Sequence, residues 1–212
     1  MYDLKMLEEI KSQEERIHFS SFDYNDAYTL GTMLRERGLT TPKPIAIRIV
    51  FDDIILYQSF LPGTDESNNQ WMNRKQHTVE RCHTSSLRAA VERELNGVKE
   101  NWQQDESHYA FCGGGFPIIV NDEFRGVAMI SGLPHLEDHR NLVEVMDQFC
   151  AQKNAYDLFL LLVLTANIKQ VADISIKCDI CDLLFYYTHF SAIFIYYLSI
   201  PIFSTHPADS LR

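Results

Sequence analysis

Two pairs of β-rich segments, each folded about a short polar turn, constrain this chain more than any other feature. Ile45-Ala46-Ile47-Arg48-Ile49-Val50-Phe51 meets the acidic pair Asp52-Asp53 and returns over residues 54–60. Residues 116–120 meet Asn121-Asp122-Glu123 and return over residues 124–131. Each pattern predicts a β-hairpin. The near-continuous apolar character of the first hairpin predicts burial on both faces, or one face on the core and the other on a partner subunit.

Helical spacing fills the chain around these hairpins. Leu4, Leu7 and Ile10 predict an amphipathic helix that fades near Arg16, with a short strand over 17–19. Asp23 or Asn25 can cap a second helix with Ala27, Leu30, Met33 and Leu34 on its apolar stripe and Gly38 as its stop. Pro42 and Pro44 forbid continuation. A third helix is expected over 68–81, with Trp71, Arg74, Thr78 and Arg81 on one side, and a fourth from Ser85 or Ser86 to Leu95, stopped by Gly97. Leu142, Val143, Val145, Met146 and Phe149 mark a last helix over 137–150. Two hairpins separated by helices indicate an α+β antiparallel sheet with helices on it, rather than alternating βαβ units.

The charge balance narrows the function classes. Nineteen Lys plus Arg against 29 Asp plus Glu give a formal charge of -10, which opposes a broad phosphate-tracking surface and so argues against nucleic acid. Any anion site must be local. Five cysteines, an odd number at irregular spacing, suit reduced thiols, and the acidic N-terminal segment lacks the pattern of a secretory signal, so residence in the cytosol is expected.

The composition changes after Ala151. Residues 152–212 contain none of the nine glycines and few charges, and residues 183–203 form a 21-residue run without Asp, Glu, Lys or Arg. By length this run could cross a membrane, although Thr188, His189 and Pro201 interrupt it and no basic cluster flanks it. The reading favoured here is an apolar tail unrelated to the domain, translated from non-coding sequence; a membrane segment is the alternative.

Several constellations could carry chemistry. Gly113-Gly114-Gly115, directly before a strand, either lets backbone amides converge on an anion or simply permits close packing. Trp71, Arg74 and Thr78 could line one wall of an anion pocket beside Lys75, or form a solvated helix face. Asp138-His139 could hold a proton-transfer pair, or cap the last helix. His83, before Thr84-Ser85-Ser86, could be an acid, a base or an iron ligand. Cys82-His83 with His108 and Cys112 is poorly spaced for zinc, Cys178-x-x-Cys181 lacks a second pair, and no serine has the strand-turn-helix context of a hydrolase nucleophile.

Three passages taken in order resemble an uncharacterised family within the haem-degrading-domain group, relatives of the HbpS and GlcG proteins. They are Leu61-Pro62-Gly63-Thr64 followed by Trp71, Arg74-Lys75, Thr78-Val79 and His83-Thr84-Ser85; Gly113-Gly114-Gly115-Phe116-Pro117-Ile118; and Ser131-Gly132-Leu133-Pro134 followed by Asp138-His139. The resemblance covers residues 1–151 and implies a profilin-like domain, its antiparallel sheet flanked by helices, in a cytosolic homo-oligomer. It further implies a site for a small anionic ligand, with haem as the named candidate. Trp71, Arg74, Lys75, Thr78, His83, Gly113, Gly114 and Gly115 would bind the ligand, His83 or Cys112 would ligate iron if haem binds, and His139, oriented by Asp138, would transfer protons. Cys112 departs from the pattern, since family members commonly carry histidine before the glycine run; a thiolate can itself ligate haem iron. The alternative is a non-enzymatic oligomeric module that presents acidic and apolar surfaces to protein partners.

Overall fold

The computed structural model describes residues 2–175. The chain divides into two units, Met1–Tyr156 and Asp157–Arg212. In the first, the elements are α1 (Leu4–Arg16), α2 (Tyr24–Gly38), β1 (Ala46–Phe51), β2 (Ile54–Phe60), α3 (Glu66–Cys82), α4 (Ser86–Asn96), a short 3-10 turn (Asn101–Gln104), β3 (Gly115–Val120), β4 (Glu123–Ser131) and the start of α5 (His135–Ser175). The sheet order is β2-β1-β4-β3, and every neighbouring pair is antiparallel. This is the α+β sheet flanked by helices that the hairpins predict.

Both hairpins close through two residues with positive φ. Asp52 and Asp53 have φ of 49 and 63°, and Asn121 and Asp122 have φ of 50 and 65°. Asn and Asp tolerate that left-handed region, and turns of this kind match the twist of the strands they join. Glu123 is already part of β4.

The strands then sort into two cores. Ile45, Ile47, Ile49 and Phe51 join Leu30, Leu34, Leu142 and Met146 on one face, while Ala46 and Val50 join Met72, Val79, Val127 and Met129 on the other. β1 is therefore buried along its whole length, as expected for the first hairpin. Its partner is not: β2 lies at the sheet edge and leaves Ile54, Ile55 and Phe60 exposed. A third cluster of Leu7, Ile10, Leu87 and Val91 ties α1 to α4.

The helix boundaries follow their caps. Asp23, rather than Asn25, caps α2 in a reciprocal capping box with Asp26. Asp65 caps α3, which starts at Glu66, two residues before the expected start. The Ser85 side chain accepts from the Arg88 amide at the start of α4. The expected strand over 17–19 shrinks to a single bridge between Phe19 and Val120. α5 begins at His135, directly after Pro134, and runs past Cys150 to Ser175.

In the second unit, the side chains of residues 158–164 are exposed. Among the described residues no helix is long and apolar enough to cross a membrane. The 183–203 run and the Cys178/Cys181 pair lie outside the described residues.

Candidate functional site

Lys75 sits in the middle of α3 with its amine turned into the protein. Its Nζ donates to the Ile130 carbonyl and to Asp138 Oδ2, both at 2.8 Å. Asp138 comes from the first turn of α5, and its Oδ1 accepts from the Leu133 amide at 3.0 Å. Burial pushes the Asp138 carboxyl up, and the Lys75 ammonium opposes the shift. The pair lines a cleft of about 420 Å³ whose other walls include Asn68, Trp71, Cys112, Leu133 and His135.

The glycine run explains how the two charges meet. Gly114 has φ +109°, and a Cβ there would stand 2.5 Å from Lys75 Nζ and 2.9 Å from Asp138 Cβ. A side chain would therefore occupy the space of the ion pair. The amides beside it are already committed: Gly113 N–H donates to His135 Nδ1 at 3.4 Å, and Gly115 N–H to Ser86 Oγ at 3.0 Å. The run supplies room for Lys75 and Asp138, and its outer two amides bond within the protein.

Arg74 is not among the residues that line this cleft; it packs on Trp71, which is. Its guanidinium lies 4.3 Å from the Trp71 ring centroid, one Nη donates to the Tyr109 carbonyl at 3.4 Å, and its Nε is buried without a hydrogen-bond partner. Among the described residues it makes no ion pair with a carboxylate. Thr78 is wholly interior: its hydroxyl donates to the Ala110 carbonyl and accepts from the Ala110 amide, clamping the segment that leads to Cys112. Burial pushes the Cys112 thiol up, against the pull of Lys75 and then Arg74.

His83 is not in this cleft. It caps the C-terminus of α3 in the left-handed conformation, φ 56°, and stacks on Phe124 with ring centroids 4.3 Å apart. There it lines a separate groove of about 430 Å³ with His18, Arg88 and Asp122. The left-handed cap turns its side chain to the β4 side, so the expected grouping of His83 with Arg74 and Lys75 is corrected; of the two alternative iron ligands, Cys112 lines the cleft and His83 does not. Among the described residues no group of three His, Cys, Asp or Glu side chains is placed to hold a metal ion.

Asp138 does not orient His139 either. Adjacent positions on a helix face different directions, and His139 Nε2 meets Gln13 Oε1 of α1 at 2.8 Å. An amide oxygen only accepts, so Nε2 carries the proton and the buried Nδ1 has no partner. Burial, then Lys75, then His135, push the His139 pKa down to about 4. His135, three positions before Asp138 and on the same helix face, also lines the cleft, although only its place directly after Gly132-Leu133-Pro134 marks it in the sequence. Burial lowers the His135 pKa, as does Lys75.

Comparison with known proteins agrees with this architecture. A UPF0303 protein of Streptomyces avermitilis is 35% identical over 144 residues, covering 66% of this chain and 88% of the relative. The crystal structure of Ybr137w protein superposes with a TM-score of 0.62 at 29% identity, over 71% of this chain and 99% of that one. The PduOC:heme complex shares the fold alone, with a TM-score of 0.54 at 14% identity over 61% of this chain and 94% of its own. The sequence model described as haem degrading protein HbpS-like matches residues 22–147, which hold the whole sheet and Lys75, Cys112 and Asp138. The chain belongs to this HbpS-like family.

Proposed function

We propose that the cleft between α3, the glycine run and the start of α5 binds a small anionic ligand through its carboxylates or equivalent oxygens. The observation that carries this reading is Arg74: a guanidinium without a carboxylate partner among the described residues, braced on Trp71, next to a cleft whose own lining cation, Lys75, is already neutralised by Asp138. Lys75 thus sets the shape of the cleft, and Arg74, from behind the lining Trp71, is the cation left to meet a ligand's oxygens at its rim. The volume lies within the roughly 300–1,000 Å³ usual for small-molecule sites.

Haem is the ligand that the family description and the PduOC complex name. Its carboxylates suit Arg74 and its flat face suits Trp71, but the donor set does not suit iron. His83 lies in the other groove, and the Cys112 thiol is kept protonated by burial. His135 Nδ1 accepts from Gly113, which puts the proton of the neutral ring on Nε2. The proposed role is therefore binding, with no haem-degrading step assigned to these residues. Residence in the cytosol belongs to the same proposal, supported by the free thiols of Cys82, Cys112 and Cys150.

Titration of the full chain with haemin and, separately, with a metal-free porphyrin dicarboxylate tests this. Saturable binding of both, weakened at least roughly tenfold in Arg74→Ala, is the expected result for an oxygen-anion site. Equal binding by wild type and Arg74→Ala would remove the assignment, and binding of haemin alone would show that iron is ligated after all. The second reading, a non-enzymatic interaction module, is favoured by one observation: the exposed apolar side chains of β2.

A further inference from the structure

His135 opens α5, and its ring is fixed from two sides. Nδ1 accepts from the Gly113 amide at 3.4 Å, a close approach that needs glycine, since a Cβ at position 113 would collide with the His135 carbonyl. The Tyr2 ring meets the imidazole edge-on, centroids 6.4 Å apart and planes at 86°, and Tyr2 is itself tied to α4 by its amide donating to Glu94 Oε1 at 2.9 Å. An imidazole whose Nδ1 accepts carries its proton on Nε2, across the ring from Gly113. Among the described residues that Nε2 has no partner, and His135 lines the cleft. Burial, and then Lys75, lower the His135 pKa, so near neutral pH the ring is an uncharged donor.

The charges on the α5 side of the cleft cancel. Asp138, three positions after His135, is paired with Lys75 at 2.8 Å, and burial keeps the Cys112 thiol protonated. An ionised oxygen brought to His135 would exchange its hydration for one neutral N–H and no net charge, and the lost hydration outweighs that bond. A carbonyl oxygen sheds far less hydration and accepts the same N–H. The cation without a carboxylate partner stands on the α3 side, where Arg74 packs on Trp71 at the rim. The two walls of the cleft therefore favour different oxygens.

From this asymmetry we infer that His135 is a specificity-determining residue: the cleft takes a monoanion that presents a carboxylate to Arg74 and an uncharged carbonyl oxygen, of a ketone, amide or ester, to His135 Nε2–H. The inference rests on the anion site proposed above and adds the chemistry of the ligand's other end. A ligand with an apolar group at that end leaves the imidazole N–H without an acceptor, and one with a second carboxylate there is desolvated without a cation to meet it.

Three flat probes of nearly equal shape test this by ligand-observed NMR titration of the full chain: para-acetylbenzoate, para-isopropylbenzoate, which lacks the carbonyl, and terephthalate, which carries a carboxylate at both ends. In the wild type, para-acetylbenzoate is expected to bind roughly three- to tenfold more tightly than either of the others. Terephthalate or para-isopropylbenzoate binding as tightly would overturn the inference without any variant. The preference is expected to vanish in His135→Phe and to survive in His135→Gln, whose amide offers an oxygen to Gly113 and an N–H to the ligand. Equal loss in both variants would mean that the ring acts by packing alone. Binding of para-acetylbenzoate that responds to Arg74→Ala but not to His135→Phe overturns this inference and leaves the anion site standing. Failure of all three probes to bind, or indifference to Arg74→Ala, removes the anion site and this inference with it.

Discussion

Lys75 and Asp138 form an ion pair at 2.8 Å with 2% and 3% of their side chains exposed, and the cleft is built around it. Two charges removed from water this completely are held by geometry as much as by attraction: the amine also bonds the Ile130 carbonyl, and the carboxylate also takes the Leu133 amide. Losing one partner leaves the other charge buried and alone. Asp138→Ala is therefore expected to cost about 3–5 kcal/mol, while the double change Lys75→Met with Asp138→Leu costs much less. Urea unfolding of the two variants and the wild type checks this; equal losses would mean that the pair is not coupled.

Gly114 is the backbone counterpart of that pair. Gly114→Ala combines a left-handed strain of about 1–3 kcal/mol with a methyl driven into Lys75 and Asp138. Gly97, at the end of α4, also has positive φ, +75°, but a Cβ there meets nothing within 4 Å. Gly97→Ala is expected to show the strain alone. A larger drop in midpoint for Gly114→Ala, accompanied by weaker ligand binding, would separate the packing effect from the backbone effect.

His139 makes stability depend on pH in a stated direction. Its pKa falls from 6.5 to about 4 on folding, so between those values the unfolded chain binds the proton and the folded chain does not. The contribution is fully present above about 6.5 and is lost as pH falls toward 4, by a few kcal/mol at most. His135, also lowered, acts in the same sense. Asp138, raised by burial, acts oppositely, its contribution declining as pH rises through its folded value. Chemical unfolding at pH 7 and pH 5 is expected to show a smaller loss in His139→Phe than in the wild type.

Arg48 tests the polar seam between sheet and helix. Its buried guanidinium donates to Gln58, Asn69 and Asn73 at 2.6–2.7 Å and to Gln76 at 3.3 Å, all amide oxygens, and burial lowers its pKa. Arg48→Met leaves those oxygens facing a thioether and is expected to cost on the order of 2–3 kcal/mol in unfolding free energy. Arg48→Lys, which cannot reproduce the fork, is expected to recover only part of it. A neutral Arg48→Met would show that water replaces the guanidinium freely.

The hairpins, the helical stripes of α2 and α5 and the α+β class were legible in the sequence because they rest on local signals. Apolar alternation, Asp52-Asp53 and Asn121-Asp122 at the turns, and caps such as Asp23 and Ser85 act within a few residues of where they are read. Lys75, Cys112, Gly114 and Asp138 were also recognisable as site candidates. Their partners were not, because a partner is chosen across the fold. The left-handed cap turns His83 away to Phe124, α1 brings Gln13 to His139, and Gly114 lets a lysine from one helix reach an aspartate from another. Exposure was decided in the same way: β1 and β2 have equally apolar sequences, yet only the sheet order, which puts β1 inside and β2 at the edge, determines which of them is left uncovered.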